Sequence, residues 1–117
     1  MKHFYKLKKY SQIKFVIEKG EKILLKSSVL YKLDLTNLNL QENLDGKCVI
    51  SFLLSKKFGN AVKRNRARRL LFASLTLSVK IINTNFAYAF IPRAKLLNMN
   101  FKELCSEIDR AILGSAK

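Results

Sequence analysis

Lys63, Arg64, Arg66, Arg68 and Arg69 crowd into about two helical turns of chain, directly after Gly59, Asn60 and the lysine pair Lys56 and Lys57. Guanidinium and ammonium groups at that density do one kind of chemistry well. They bind anions, above all phosphates, through charge-assisted and often bidentate hydrogen bonds. They do little for the helix that carries them, because the positive end of a helix dipole lies at its N-terminus, where cations are unfavourable. Like charges four apart, as at Arg64 and Arg68, also repel by a few tenths of a kcal/mol. A partner outside the chain must offset this charge, and the free N–H groups of the helix start attract the same anions.

Other chemistries find little support. The carboxylates Glu18, Glu21, Asp34, Glu42 and Asp45 come early and Glu103, Glu107 and Asp109 late, with none from 46 to 102. A protein nuclease that holds Mg²⁺ does so through carboxylates, and the most basic stretch has none to give. His3 is the only histidine, which leaves no histidine acid/base pair or His-rich metal site. Cys48 and Cys105 lack a metal-ligand spacing and are expected to be a reduced, buried pair. We expect no catalytic residue and no protein-held metal.

With 117 residues the chain is expected to form one domain around a single core, and 49% hydrophobic residues suffice to build it. Lys+Arg 23 against Asp+Glu 8 gives +15, a self-repulsion that calls for a polyanion: nucleic acid first, an anionic membrane surface second. No apolar run approaches the roughly 18 residues of a membrane span, and lysines interrupt the N-terminus too often for a signal peptide. A cytoplasmic protein is expected.

The elements that must position the basic stretch can be read from periodicity. Residues 1 to 10 form a basic arm, either a solvated tail or part of a contact surface. A short helix over about 12 to 19 follows, with Ser11 as N-cap, Ile13, Val16 and Ile17 as its apolar stripe and Gly20 at its end. Ile23 to Lys26 and Val29 to Asp34 read as strands. Residues 35 to 47 read as a hairpin loop, and Cys48 to Leu54 as a central strand covered on both faces.

On a helical wheel for the basic segment, Val62, Leu70, Ala73 and Leu77 share an apolar arc that Ala67 and Leu71 extend. Arg64, Asn65, Arg68 and Arg69 share a polar face, and Arg66 points toward the apolar side. Phe72 falls on the basic side, to stack on a base or to pack on a neighbouring loop. A strand over Phe86 to Ile91 sets Phe86, Tyr88 and Phe90 on one face and small residues on the other, where a helix can approach closely. Pro92 ends it. Asn100 caps a last helix, Phe101 to Leu113, with Leu104, Cys105, Ile108, Ala111 and Ile112 facing the core and Gly114 terminating it. The predicted class is α+β: a single-domain α/β sandwich with a mixed four-stranded sheet and three helices.

These residues carry a family resemblance. The run from Ser55 through Lys56, Lys57, Phe58, Gly59, Asn60, Ala61 and Val62, followed by Arg64, Asn65, Arg66, Ala67, Arg68, Arg69 and Leu70, is similar to the strand end, Gly-Asn-Ala turn and RNR motif of bacterial ribonuclease P protein subunits. Shorter echoes lie at Lys6 to Lys9, Val29 to Asp34 and Phe90 to Arg93.

The resemblance implies a left-handed βαβ crossover around the RNR helix and a fold related to a domain of a small-subunit ribosomal protein. It implies an accessory subunit of a ribonucleoprotein endoribonuclease, which helps a catalytic RNA remove the 5′ leader of precursor tRNA with Mg²⁺ held mainly by the RNA. The partners would be the catalytic RNA subunit and precursor tRNA, with the protein monomeric in the particle and no membrane involved. Lys56, Lys57, Asn60, Arg64, Asn65, Arg66, Arg68 and Arg69 look like the RNA-subunit surface. Tyr31, Ile13 and Ile17 look like the leader cleft. The family often has aromatics where Ile13 and Ile17 stand, so Phe15 or Tyr88 would have to supply stacking. It often has Arg where Phe72 stands, which shortens the basic face by one turn. The alternative is a ribosomal or ribosome-associated structural RNA-binding protein.

Overall fold

A computed structural model of the chain describes residues 4–38, 46–78 and 85–115. Five strands form one mixed sheet: β1 (Phe4–Lys6), β2 (Glu21–Leu24), β3 (Ser28–Asp34), β4 (Cys48–Phe52) and β5 (Phe86–Pro92), in the order β1-β4-β5-β3-β2. Three α-helices cover it: α1 (Tyr10–Lys19), α2 (Ala61–Leu77) and α3 (Phe101–Ser115). The class is the α+β one expected, with one strand more than predicted.

The extra strand comes from the expected basic arm. Phe4, Tyr5 and Lys6 pair in parallel with Cys48, Val49 and Ile50 of β4, and Phe4 joins the core beneath α2 and α3 while Tyr5 packs against the core on the other side, as successive residues of a strand do. The hairpin reading of residues 35 to 47 is corrected. β3 and β4 are not neighbours, because β5 lies between them, antiparallel to β3 and parallel to β4. Part of that loop, 39–45, lies outside the described residues.

The β5 alternation places one core on each side of the sheet. Tyr88 and Phe90 join Leu30, Ile50, Leu71, Leu75, Leu104, Ile108 and Ile112 under α2 and α3. Full burial of a side chain such as Phe90 contributes about 2–3 kcal/mol. Ala87 and Ala89 face the other way, against Val16 of α1, Leu33 and Val49.

Helix α1 starts earlier than predicted: Lys9, not Ser11, is its N-cap, without a side-chain hydrogen bond. Gly20 ends α1 in extended backbone (φ −79°) rather than a left-handed turn. It is glycine because of space: a Cβ there would stand 2.5 Å from the Val16 carbonyl oxygen and 2.9 Å from that of Lys32.

The second helical layer is tied down by carboxylates. Buried Glu107 of α3 accepts from the Lys26 N–H (2.8 Å), the Ser27 N–H (3.1 Å) and the Ser27 hydroxyl (2.6 Å), holding the β2–β3 turn to the helix. Asp109 accepts from the Ser78 hydroxyl at the end of α2. Asn100 Oδ1 caps α3 by accepting from the Lys102 N–H at 2.8 Å, and the helix runs on through Gly114 to Ser115. Cys48 and Cys105 are both unpaired thiols, and burial pushes that of Cys48 up to about 12.

Candidate nucleic-acid interface

The approach to α2 fixes where its side chains point. After β4 the chain makes a short 3₁₀ turn, Lys56–Phe58, with both lysines exposed. It then passes through Gly59 at φ 153°, backbone that a side chain would strain. Asn60 follows as N-cap, its Oδ1 accepting from the Lys63 N–H at 3.0 Å. This cap satisfies one of the orphan donors of the helix start and sets the phase of every residue after it.

That phase differs from the predicted wheel. The buried stripe is Ala67, Leu71, Ser74 and Leu75, whereas Val62 and Leu77, expected in the apolar arc, are 72% and 70% exposed. Apolar and basic residues interleave around α2, and Ser74 can occupy its buried face because it donates to its own helix, to the Leu71 carbonyl at 2.8 Å.

The polar face is therefore rotated from the expected one. Asn65, Arg66 and Arg69 stand fully out, so Arg66 joins the face instead of pointing toward the core. Arg64 and Arg68 lie half-buried at its flanks. Arg68 Nη1 donates to Asn65 Oδ1 at 3.0 Å, which spreads one guanidinium along the face. Arg64 carries a buried Nε that meets no acceptor among the described residues.

Among the described residues, the ion pairs are Lys14–Glu18 (3.8 Å) and Lys32–Glu21 (4.0 Å). Neither involves Lys56, Lys57 or any cation of α2. Phe72 packs on strand β1 rather than on a loop: its ring meets Phe4 edge-on with centroids 5.3 Å apart. The Lys6 ammonium stands 5.6 Å from the Phe72 centroid and 5.9 Å from that of Phe52. The sequence leaves Lys6 in a basic arm, because the three residues of β1 are too few to mark a strand by their period.

On the opposite face of the sheet, Ile13, Ile17 and Tyr31 pack around the core of Val16, Leu33, Ala87 and Ala89. The two aromatics expected to reinforce them do not join them. Phe15 projects from another flank of α1, where it borders a groove with Ser11, Gln12, Asn37 and Leu38. Tyr88 is 2% exposed in the core beneath α2 and α3, because strand alternation sends it through the sheet to the other layer. Beside the Phe15 groove, Asp34 accepts from the Thr36 N–H and hydroxyl, both at 2.9 Å, and these bonds hold its carboxyl below the usual range.

A divalent cation does not fit this chain's basic face, whose donors are ammonium, guanidinium and amide groups. Among the described residues no three His, Cys, Asp or Glu side chains converge as a metal site. No helix among them is long and apolar enough to cross a membrane.

The family model for ribonuclease P matches residues 1–115. A ribonuclease P protein component from Alkaliphilus metalliredigens is 34% identical over 103 residues, covering 88% of this chain and 86% of that protein. One from Bacillus cereus (strain AH187) is 32% identical over 104 residues, covering 89% and 84%. The RNase P protein of Staphylococcus aureus superimposes with a TM-score of 0.73 at 21% identity, covering 97% of this chain and 95% of that one. That of Thermotoga maritima gives 0.72 at 15%, covering 92% and 94%.

Proposed function

Since the chain belongs to the ribonuclease P protein family, we propose that it is the RNA-binding accessory subunit of a cytoplasmic ribonucleoprotein that matures the 5′ end of precursor tRNA. The observation that carries the reading is the outward face of α2, where Asn65, Arg66 and Arg69 stand exposed with no intramolecular ion pair among the described residues. With Lys56, Lys57, Asn60, Arg64 and Arg68 this face meets phosphates of the catalytic RNA. The protein contributes charge compensation between two polyanions and a position for the leader. Mg²⁺ held by the RNA would supply the Lewis acid for bond cleavage; no chemical step is assigned to a side chain of this protein.

On the other face, Ile13, Ile17 and Tyr31 offer an apolar cleft against which unpaired leader bases can rest, with Tyr31 as its one aromatic ring. This reading takes the protein as a single copy in the particle. A purely ribosomal role would need the same charge, but the family membership gives no reason to prefer it.

Reconstitution with the matching catalytic RNA tests the proposal. At Mg²⁺ too low for the RNA alone, adding the protein is expected to restore cleavage of precursor tRNA at the leader junction. No stimulation, together with co-purification of ribosomal RNA, would move the assignment to the ribosomal reading.

A further inference from the structure

Helix α2 carries no cation of its own in the turn beyond Arg68 and Arg69, where Phe72 stands. The adjacent strand brings one there. Lys6 is exposed on the sheet-edge strand β1, with its ammonium near the outer limit of cation–π reach from both Phe72 and Phe52. Phe72 is itself fixed by the edge contact from Phe4, at an interplanar angle of 62°. Lys6, Arg68, Arg69, Phe72 and Ala73 together line a groove of about 230 Å³.

Three cations thus converge on an aromatic floor, and among the described residues none of them has a carboxylate partner. Their mutual repulsion is relieved by an anion placed between them, and ring faces attract cations and not phosphates, so the ring holds Lys6 and leaves its outer hydrogens for the ligand. The groove shares Arg68 and Arg69 with a second one, lined by these two arginines, Val62 and Asn65. A strand laid along the outer face of α2 therefore leads into it through two shared arginines.

We infer that Lys6, Arg68 and Arg69 form a phosphodiester-binding cradle beside Phe72, in which strand β1 extends the RNA surface past the end of the helix's own arginine run. This rests on the RNA-binding reading above and adds to it a residue from another element. Lys6 is the phosphate ligand, and Phe72 is a positioning residue that holds the ammonium toward Arg68 and Arg69.

The test is equilibrium binding of the full chain to the catalytic RNA over a salt series, for the wild type, Lys6→Gln, Lys6→Arg and Arg69→Gln. Loss of one phosphate contact is expected to flatten the log–log salt slope by roughly 0.7–0.9. Lys6→Gln should show that change with an unaltered unfolding temperature, because the side chain is exposed, and Lys6→Arg should keep the wild-type slope. A wild-type slope for Lys6→Gln beside a flattened one for Arg69→Gln would overturn the cradle and leave the RNA-binding face standing. Wild-type slopes for both would overturn the face as well. Equal flattening by Lys6→Arg and Lys6→Gln would show that charge is not what the position supplies, and would also sink the cradle.

Discussion

Helices α2 and α3 pack against each other on the same face of the sheet, yet their charges are handled in opposite ways. On α3, Glu107 accepts three hydrogen bonds from the β2–β3 turn and Asp109 accepts from Ser78 of α2. On α2, Arg68 donates to the neighbouring amide of Asn65, and among the described residues no arginine of the helix pairs with a carboxylate. Charges that serve folding are matched inside the molecule, at the cost of being buried. The cations proposed to serve a partner are left on an outward face, and the helix accepts their repulsion because its buried stripe of Ala67, Leu71, Ser74 and Leu75 holds it in place.

The comparison makes its strongest prediction on α3. Glu107→Ala leaves two backbone N–H groups and the Ser27 hydroxyl without their acceptor, and should cost about 3 kcal/mol of stability. Chemical denaturation would measure it, and the folded fraction should keep the wild-type salt slope for RNA. If Glu107→Ala were neutral, matched charges on α3 would not be serving the fold.

The mirror experiment is Arg66→Ala with Arg69→Ala on α2. RNA affinity should fall about tenfold or more, which corresponds to about 1.4 kcal/mol, with the unfolding midpoint unchanged. A parallel loss of stability would show that these arginines support the helix and would erase the contrast.

The smallest effect is predicted for the residues on which the wheel and the structure disagree. Val62→Ser and Leu77→Ser, both at exposed positions, should each change stability by no more than about 0.5 kcal/mol. Leu71→Ala, at a fully buried site, should cost about 2–5 kcal/mol. Denaturation of the three variants side by side would decide the phase of α2.

The disagreement shows what the sequence makes legible. Helix α3 and strand β5 could be read closely because their apolar residues keep one clean period, and the Asn100 cap and the two faces of β5 stand as expected. Helix α2 could be located but not oriented. Ser74 on its inner side and Val62 and Leu77 on its outer side scramble the hydrophobic signal that a wheel depends on.

Strand β1 was hidden because three residues among lysines carry little periodicity, and its pairing with β4 is remote in sequence. The same non-local pairing puts β5 between β3 and β4, where a local reading saw a hairpin. For the candidate site, the residue types of the basic face were legible, but Arg66 belongs to its exposed part and Tyr88 to the core of the other layer. No local pattern reports which side of a sheet a helix will cover.

The central claim is that the unmatched cations around α2 exist for RNA phosphates. It is tested most directly by the salt dependence of wild-type binding to the catalytic RNA. With about five phosphates neutralised, log affinity should fall against log salt with a slope of roughly −3 to −5. A slope flatter than about −1 would contradict the account, because it would mean that the arginine face and its neighbouring lysines meet almost no phosphate at all.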